Sequence, residues 1–334
     1  MPAAVSILLP VFNAADTLGS CLESVRRQTL VDWECLILDD GSEDASTEIA
    51  ARATASDSRF THIRLDHTGL IQTLNTGIDR CGGDWVARID ADDWMHRDRL
   101  ASQVEALTAQ PSVDLVGCHL RTFPRAAVGE GSRDYEAWLN SMRSPADVYR
   151  ERFIECPLAH PTWMLRRRTL EATRYRDRGW PEDYDLLLRL LQNGARAGVV
   201  PRRLLGWRHH PDRLSRRNPR YSLKSFTACR AAFLAADFLK NTDGYLLWGY
   251  GQTGRALRRA LAENGKQLAG LIEVHRGRLG QTIHGAPVVA PDEIGRLPNL
   301  PLIISVSGLG PRNEIRARLW ELNREEGHDY VCAA

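Results

Sequence analysis

The chain has no cysteine pattern: seven cysteines, at 21, 35, 81, 118, 156, 229 and 332, stand singly and no C-x-x-C occurs. An odd, unpatterned set excludes a disulfide framework and a cysteine zinc site, and reads as reduced thiols in a cytoplasmic protein. Charge of one sign is also missing. The 44 Lys and Arg nearly balance 42 Asp and Glu, leaving a net charge of +2. That is too little to imply nucleic acid as a partner, so any electrostatic argument has to be local. No window approaches the roughly 18–20 apolar residues of a membrane span, and there are no internal repeats or low-complexity tracts. The opening MPAAVSILLPVF is apolar but lacks a basic region, and polar residues follow at once. It reads as a first strand, not a signal peptide. What is there is an ordinary globular composition, 43% hydrophobic and 26% charged over 334 residues. On a prior of about 100–200 residues per domain, that length suggests two domains.

The first segment alternates short apolar runs with helical patterns. Strands are expected over 5–11, 33–42, 61–67 and 84–90, with helices over 16–28, 46–55 and 69–81 between them. Strands alternating with helices indicate βαβ units and a parallel sheet, whose ligands bind at the carboxyl ends of the strands. LDDGS (38–42) and IDADD (89–93) both sit just past such ends, so two acidic clusters should face one crevice. Further on, 97–110 reads as a helix, 113–123 as a strand and 124–150 as an excursion of loop and helix. HPTWMLRRRTL (160–170) reads as a strand entering a helix, and EDYDLLLRLLQNG (182–194) as an amphipathic helix closed by Gly194. A helix over about 221–240 leads to the turn-rich NTDG, where the domain boundary is expected.

The densest chemistry lies in WVARIDADDW (85–94), which crowds Asp90, Asp92 and Asp93 into four positions. Like charges so close repel one another and are costly to desolvate. Either this is a solvated acidic turn, or a cation belongs between the carboxylates. Hard divalent cations such as Mg²⁺ or Mn²⁺ take oxygen ligands and can bridge a substrate's phosphates.

VSILLPVFNAADTLGSCLESVRRQTLVDWECLILDDGSEDAS resembles the opening of glycosyltransferase family 2, inverting nucleotide-sugar transferases of GT-A fold. GLIQTLNTGIDRCGGDWVARIDADDWMHRDRL, HPTWMLRRRTL, PEDYDLLLRL and WRHHPDRLS continue the resemblance in order, over about residues 4–218. It implies an α/β architecture: a GT-A domain, that is a Rossmann-like mixed sheet flanked by helices, over 1–240. Its nucleotide-sugar half would be about 1–115, its acceptor half about 116–220 and a connecting helix about 221–240. It also implies roles. Pro10, Val11, Phe12 and Asn13 match the loop that contacts the donor's base and ribose, and Asp40 the acid that hydrogen-bonds a uracil-type ring. Asp92 matches the direct ligand of Mn²⁺ or Mg²⁺ and Asp90 a ligand nearer the ribose, with Asp93 assisting. Asp183 matches the catalytic base, Arg208 a donor contact and His210 a residue near the metal or diphosphate.

Each assignment has a plainer alternative. Asp39 and Asp40 could cap the helix that follows, Phe12 could be core, and Glu182 and Asp183 could complement a helix dipole; Glu182 is the substitute for Asp183 as base. His160 in HPTWM reads as a structural histidine. The basic stretch 201–221, with Arg202, Arg203, Arg208, Arg213, Arg216, Arg217 and Arg220 against the single acid Asp212, reads as a solvated face or a diphosphate clamp. It also reads as a surface for an anionic, lipid-linked acceptor at the inner face of the membrane.

Beyond residue 241 the βαβ pattern restarts. YLLWGYGQTGRALRRAL places Gly249, Gly251 and Gly254 as G-x-G-x-x-G between a strand and a helix, and Glu273 ends the next strand nineteen residues after Gly254. Glycines allow close approach of a pyrophosphate to a helix N-terminus and an acid there can bind a ribose. A second, smaller Rossmann-like α/β domain over 241–334 is therefore expected, open to a dinucleotide or other nucleotide, with a binding, regulatory or oligomerising role (the last giving a homo-oligomer); an independent catalytic activity and a fold relic that binds nothing are the alternatives. The partners implied are a nucleoside-diphosphate sugar and a saccharide, lipid-linked or other hydroxyl acceptor, with no nucleic acid. Two alternatives stay open: an NAD-dependent oxidoreductase acting on nucleotide sugars, and a non-catalytic sugar-nucleotide sensor.

Overall fold

The computed structural model describes residues 3–210, 213 and 217–334. The chain separates into two compact units, neither continuous in sequence: 1–149 with 157–178 and 185–213, and 150–156 with 179–184 and 214–334.

The first unit is built on β1 (Val5–Val11), β2 (Trp33–Asp39), β3 (Phe60–Arg64), β4 (Trp85–Arg88), β5 (Trp94–Met95), β6 (Leu115–Phe123), β7 (Met164–Arg166) and β8 (Ala197–Arg208). The sheet order is β3-β2-β1-β4-β7-β6-β8-β5. β1 is buried along almost its whole length, as a central strand covered on both faces must be, which is why VSILLPV is a continuous apolar run rather than an alternating one. β1 to β4 pair in parallel. β7 runs antiparallel to β4 and β6, β8 parallel to β6, and β5 antiparallel to β8. The sheet is mixed, as expected.

The helices Ala15–Arg26, Ser46–Ser56 and Leu70–Ile78 cross between the parallel strands. Chain order reverses between β1 and β4, so the crevice outside the carboxyl ends of these strands is the switch point where such sheets bind ligands. LDDGS and IDADD emerge at that end.

The first half of the basic stretch belongs to β8, twelve residues long and the strand that carries β5. Pro201 has no N–H for the ladder, and Arg202 and Arg203 are exposed. The pairing with β6 shifts register at Cys118 and His119, as a strand must when a proline interrupts it.

The second unit holds β9 (Gly244–Trp248), β10 (Gln267–Ile272), β11 (Thr282–Ile283), β12 (Ala286–Val289), β13 (Leu302–Ile304) and β14 (Tyr330–Cys332). Their order is β11-β12-β10-β9-β13-β14, parallel except for the β11–β12 hairpin. Counting only the parallel strands gives 3-2-1-4-5, a doubly wound order with its own switch point between β9 and β13. The helix Leu223–Ala236 lies in this unit. Its buried Arg230 donates to the carbonyls of Ala333 (2.7 Å) and Ile154, and Arg152 pairs with Asp237 at 3.3 Å. All seven cysteines are free and buried, and no helix of the described residues is long and apolar enough to cross a membrane.

Candidate functional site

The acidic turn after β4 is crowded. One oxygen from each of Asp90, Asp92 and Asp93 lies within 4.8 Å of the others. Asp90 is paired with Arg88, the last residue of β4 two positions back, at 2.6 Å. Asp92 Oδ2 meets His210 Nε2 at 2.9 Å. Asp93 is fully buried; its Oδ1 accepts from the backbone of Arg208 at 2.8 Å, while Oδ2 has no partner. Burial raises the pKa of both Asp92 and Asp93, and their neighbouring carboxylates raise it further. A buried oxygen without a donor costs free energy, and nearby cationic charge would reverse both effects. The donor set is all oxygen apart from His210, which suits Mg²⁺ or Mn²⁺. The residues fit such an ion.

Arg208 is held by three contacts: its backbone on Asp93, its Nε donating to the Asp92 carbonyl at 2.7 Å, and its guanidinium over the Phe123 ring at 4.7 Å. Arg213 lies over Trp207 at 4.1 Å and its charge opposes the rise at Asp92 and Asp93. The other arginines of 201–221 go separate ways: Arg202 donates to Ser102 and Arg220 to the Trp180 carbonyl. Asp212 and Arg216 lie outside the described residues.

At the end of β1, Pro10 and Val11 belong to the strand. Phe12 follows with its ring about half exposed, stacked on His67 at 4.3 Å and 24°. Asn13 takes a left-handed φ of 49°, tolerated by Asn. Its backbone donates to Ser42 Oγ and its Oδ1 accepts from Glu43. Both aspartates of DDGS are buried. Asp39 accepts from the Ser42 backbone and Thr47 Oγ1, so it organises the turn before the helix Ser46–Ser56. Asp40 accepts from the backbones of Thr68 (2.9 Å) and Gly69 (3.0 Å), and His67 Nδ1 lies 3.0 Å from its Oδ2. Sequence reasoning missed His67 and Arg88. For Arg88 the i, i+2 spacing to Asp90 was the available signal; for His67 only its place after β3 hinted at a role.

Asp183 lies in the segment grouped with the second unit. Burial, with Glu182 and Glu155 beside it, pushes its carboxyl up to about 8, and it accepts from the Tyr184 backbone at 2.7 Å. Glu182 takes the Tyr221 hydroxyl at 2.7 Å. Asp185, not singled out from the sequence, is a buried anchor for Arg176 and Arg189. His160 is buried, hydrogen-bonded to the Tyr175 hydroxyl at 2.7 Å and packed edge-on against Trp163.

In the second unit Gly249 has φ 92°, and a Cβ on Gly254 would come within 2.3 Å of the Gly249 carbonyl, whereas one on Gly251 would meet nothing within 4 Å. The first and third glycines are thus required by the backbone, and the second leaves open space before the helix Gln252–Glu263. Glu273 is already engaged: Oε1 accepts from the Val274 and His275 backbones and Oε2 from Arg278 at 2.7 Å. The glycine turn fits a pyrophosphate; the acid, already engaged by three donors, has one acceptor position left for a ribose hydroxyl.

The sequence model of Glycosyl transferase family 2 matches residues 6–173. EpsE of Bacillus subtilis is 30% identical over 236 residues, 68% of this chain and 82% of its own length. The amylovoran biosynthesis glycosyltransferase AmsE of Erwinia amylovora is 28% identical over 72% of this chain and 91% of its own. In two relatives of higher identity the match spans only 33% and 14% of the relative's length. Among solved structures, S. aureus TarS 1-349 in complex with UDP-GlcNAc has a TM-score of 0.56 over 78% of this chain and 72% of that one, at 14% identity. That likeness concerns the fold, a GT-A arrangement.

Proposed function

The chain belongs to glycosyl transferase family 2, and from that premise we propose that it is a metal-dependent inverting transferase. It moves a sugar from a nucleoside diphosphate, of UDP or dTDP type, to an acceptor hydroxyl in polysaccharide or glycoconjugate synthesis. The observation that carries this reading is the meeting of Asp90, Asp92 and Asp93, one oxygen without a partner, with His210 and Arg208. The biosynthetic role named for AmsE and the UDP-GlcNAc of the TarS complex support the polymer product and the uridine donor. Exposed arginines of the 201–221 stretch suit an anionic, lipid-linked acceptor at the inner face of the membrane.

Asp92 and Asp90 would hold Mn²⁺ or Mg²⁺, with His210 against Asp92. When bound, the ion supplies positive charge against the departing diphosphate. The exposed Phe12 ring offers a stacking face to the donor's base, and Asp40, whose backbone N–H donates to the Val11 carbonyl at 2.8 Å, stands beside that loop. The acceptor oxygen attacks the anomeric carbon opposite the diphosphate. A new C–O bond forms as the bond to the diphosphate breaks, the acceptor's proton passes to Asp183, and configuration inverts. A carboxyl pushed up to about 8 is a stronger base than an ordinary aspartate.

The deciding experiment is calorimetric titration of UDP with and without Mn²⁺, repeated on Asp92→Ala. Binding that needs Mn²⁺ and collapses in the variant is expected; binding indifferent to both sinks the metal–diphosphate reading. Asp183→Asn should keep UDP affinity and lower kcat by about 10²–10⁴-fold. The wild-type rate should climb with pH through about 8, since only the deprotonated carboxylate accepts the proton. A flat profile with a fully active variant would move the base elsewhere, Glu182 first.

A further inference from the structure

A second site sits one residue beyond the acidic turn. Trp94, directly after Asp93, is half exposed and forms the wall of a cleft of about 310 Å³ whose other walls are His96, Arg121, Phe123, Arg203, Leu205 and Gly206. Register explains its shape. Across the end of the sheet Arg121 of β6 pairs with Gly206 of β8, and Gly206 with Trp94 of β5. The central position of that row therefore carries no side chain. A Cβ there would come within 3.2 Å of the Phe123 ring and 3.5 Å of Trp94. The glycine opens a notch between an indole and a guanidinium.

The charge in the notch is one-sided. Arg121 and Arg203 are exposed, neither makes a hydrogen bond or ion pair with the described residues, and no carboxylate lines the cleft among them. An aromatic face beside two unpartnered guanidinium groups is complementary to a flat, partly apolar ring carrying a carboxylate, because the guanidinium fork takes a carboxylate bidentately. The cleft also shares a wall with the acidic turn: Phe123 lines it and carries the guanidinium of Arg208, whose backbone is bound by Asp93.

We infer that this cleft is an acceptor subsite for an acidic saccharide, a pyranose stacked on Trp94 with its carboxylate held by Arg121 and Arg203. The inference rests on the transferase reading for the word acceptor; the binding itself does not depend on it. A donor nucleotide belongs at the carboxylates, where a cation is called for, whereas this cleft calls for an anion.

The test is calorimetric titration of the full chain with tetragalacturonate and with neutral maltotetraose. Both are repeated on the Arg121→Gln/Arg203→Gln double variant and on Trp94→Ala, with UDP and Mn²⁺ titrated into each protein as a control. Tetragalacturonate is expected to bind the wild type and to lose about tenfold or more in both variants. Maltotetraose should bind at least as weakly as tetragalacturonate binds the double variant, and UDP affinity should not change. No binding of tetragalacturonate, binding untouched by the arginine substitutions, or equal affinity for maltotetraose overturns the inference. So does displacement by inorganic phosphate at concentrations comparable to galacturonic acid, which would mark a plain anion site. If Trp94→Ala fails to fold, the double variant alone decides, since both arginines are exposed. Absence of UDP binding in the wild type, with the saccharide result as expected, would sink the metal–diphosphate reading and leave the saccharide site standing.

Discussion

The acidic turn after β4 and the glycine turn after β9 each follow a strand that flanks the switch point of its sheet, β4 on the far side of the reversal and β9 on the near side, and each leads into a candidate ligand crevice. Their physical states are opposite. The first accumulates charge it does not neutralise, with Asp92 and Asp93 raised by burial and crowding and one buried oxygen without a donor. The second has its acid satisfied, because Glu273 takes two backbone N–H groups and Arg278, which hold its carboxyl below the usual carboxylate range. Topology makes both places available; unmet electrostatic demand distinguishes the one that calls for a ligand. A glycine turn can be explained by packing alone. Three crowded carboxylates cannot.

The largest expected effect tests the packing half of that contrast. Gly254→Ala would drive a Cβ to 2.3 Å from the Gly249 carbonyl and 2.7 Å from Ser305 Oγ, and the backbone oxygen cannot yield cheaply. Forced overpacking costs about 1–3 kcal/mol, read as a lower urea midpoint. Gly251→Ala, with open space around it, should stay within about 0.5 kcal/mol of wild type. If the two substitutions cost the same, the close approach of strand and helix is not what fixes these glycines.

How much of this was legible in sequence differs between the two halves of the first sheet. The parallel half was readable because its central strands are buried on both faces and separated by amphipathic helices, so β1, β2 and β4 appear as apolar runs, the last two leading into acids. The antiparallel edge was not. β5 is two residues long, and β8 carries Pro201 and two exposed arginines that break the apolar pattern of a strand. The cleft beside Trp94 exists only through the pairing of β5, β8 and β6, so its residues gave no local signal. The Asp90–Arg88 pair is local, and alternation along β4 would have found it. The stacking of Phe12 on His67 joins residues 55 apart in sequence and needed the parallel register of β1, β2 and β3. The interruption of each unit by pieces of the other was equally hidden, since it depends on contacts such as that of Arg230 with Ile154 and Ala333.

A smaller effect tests the electrostatic half. Asp93→Asn keeps an oxygen for the Arg208 backbone and places an amide donor where Oδ2 now has no partner, while removing one of three crowded charges. Asp93 has a folded-state pKa raised above its unfolded value. In the folded protein, ionisation is therefore penalised at pH above the unfolded value near 3.9, and the penalty disappears as pH falls below both values. In chelator at neutral pH the variant should thus be more stable than wild type, by about 1 kcal/mol, and the difference should vanish toward pH 4. Added Mn²⁺ should reverse the order, because the wild-type cluster binds the cation with one more charge and gains more from it. Paired melts in chelator and in Mn²⁺, at neutral pH and at pH 4, measure all three expectations. A variant less stable than wild type in chelator would mean that the carboxylates are not in conflict, and the contrast between the two switch points would lose its physical basis.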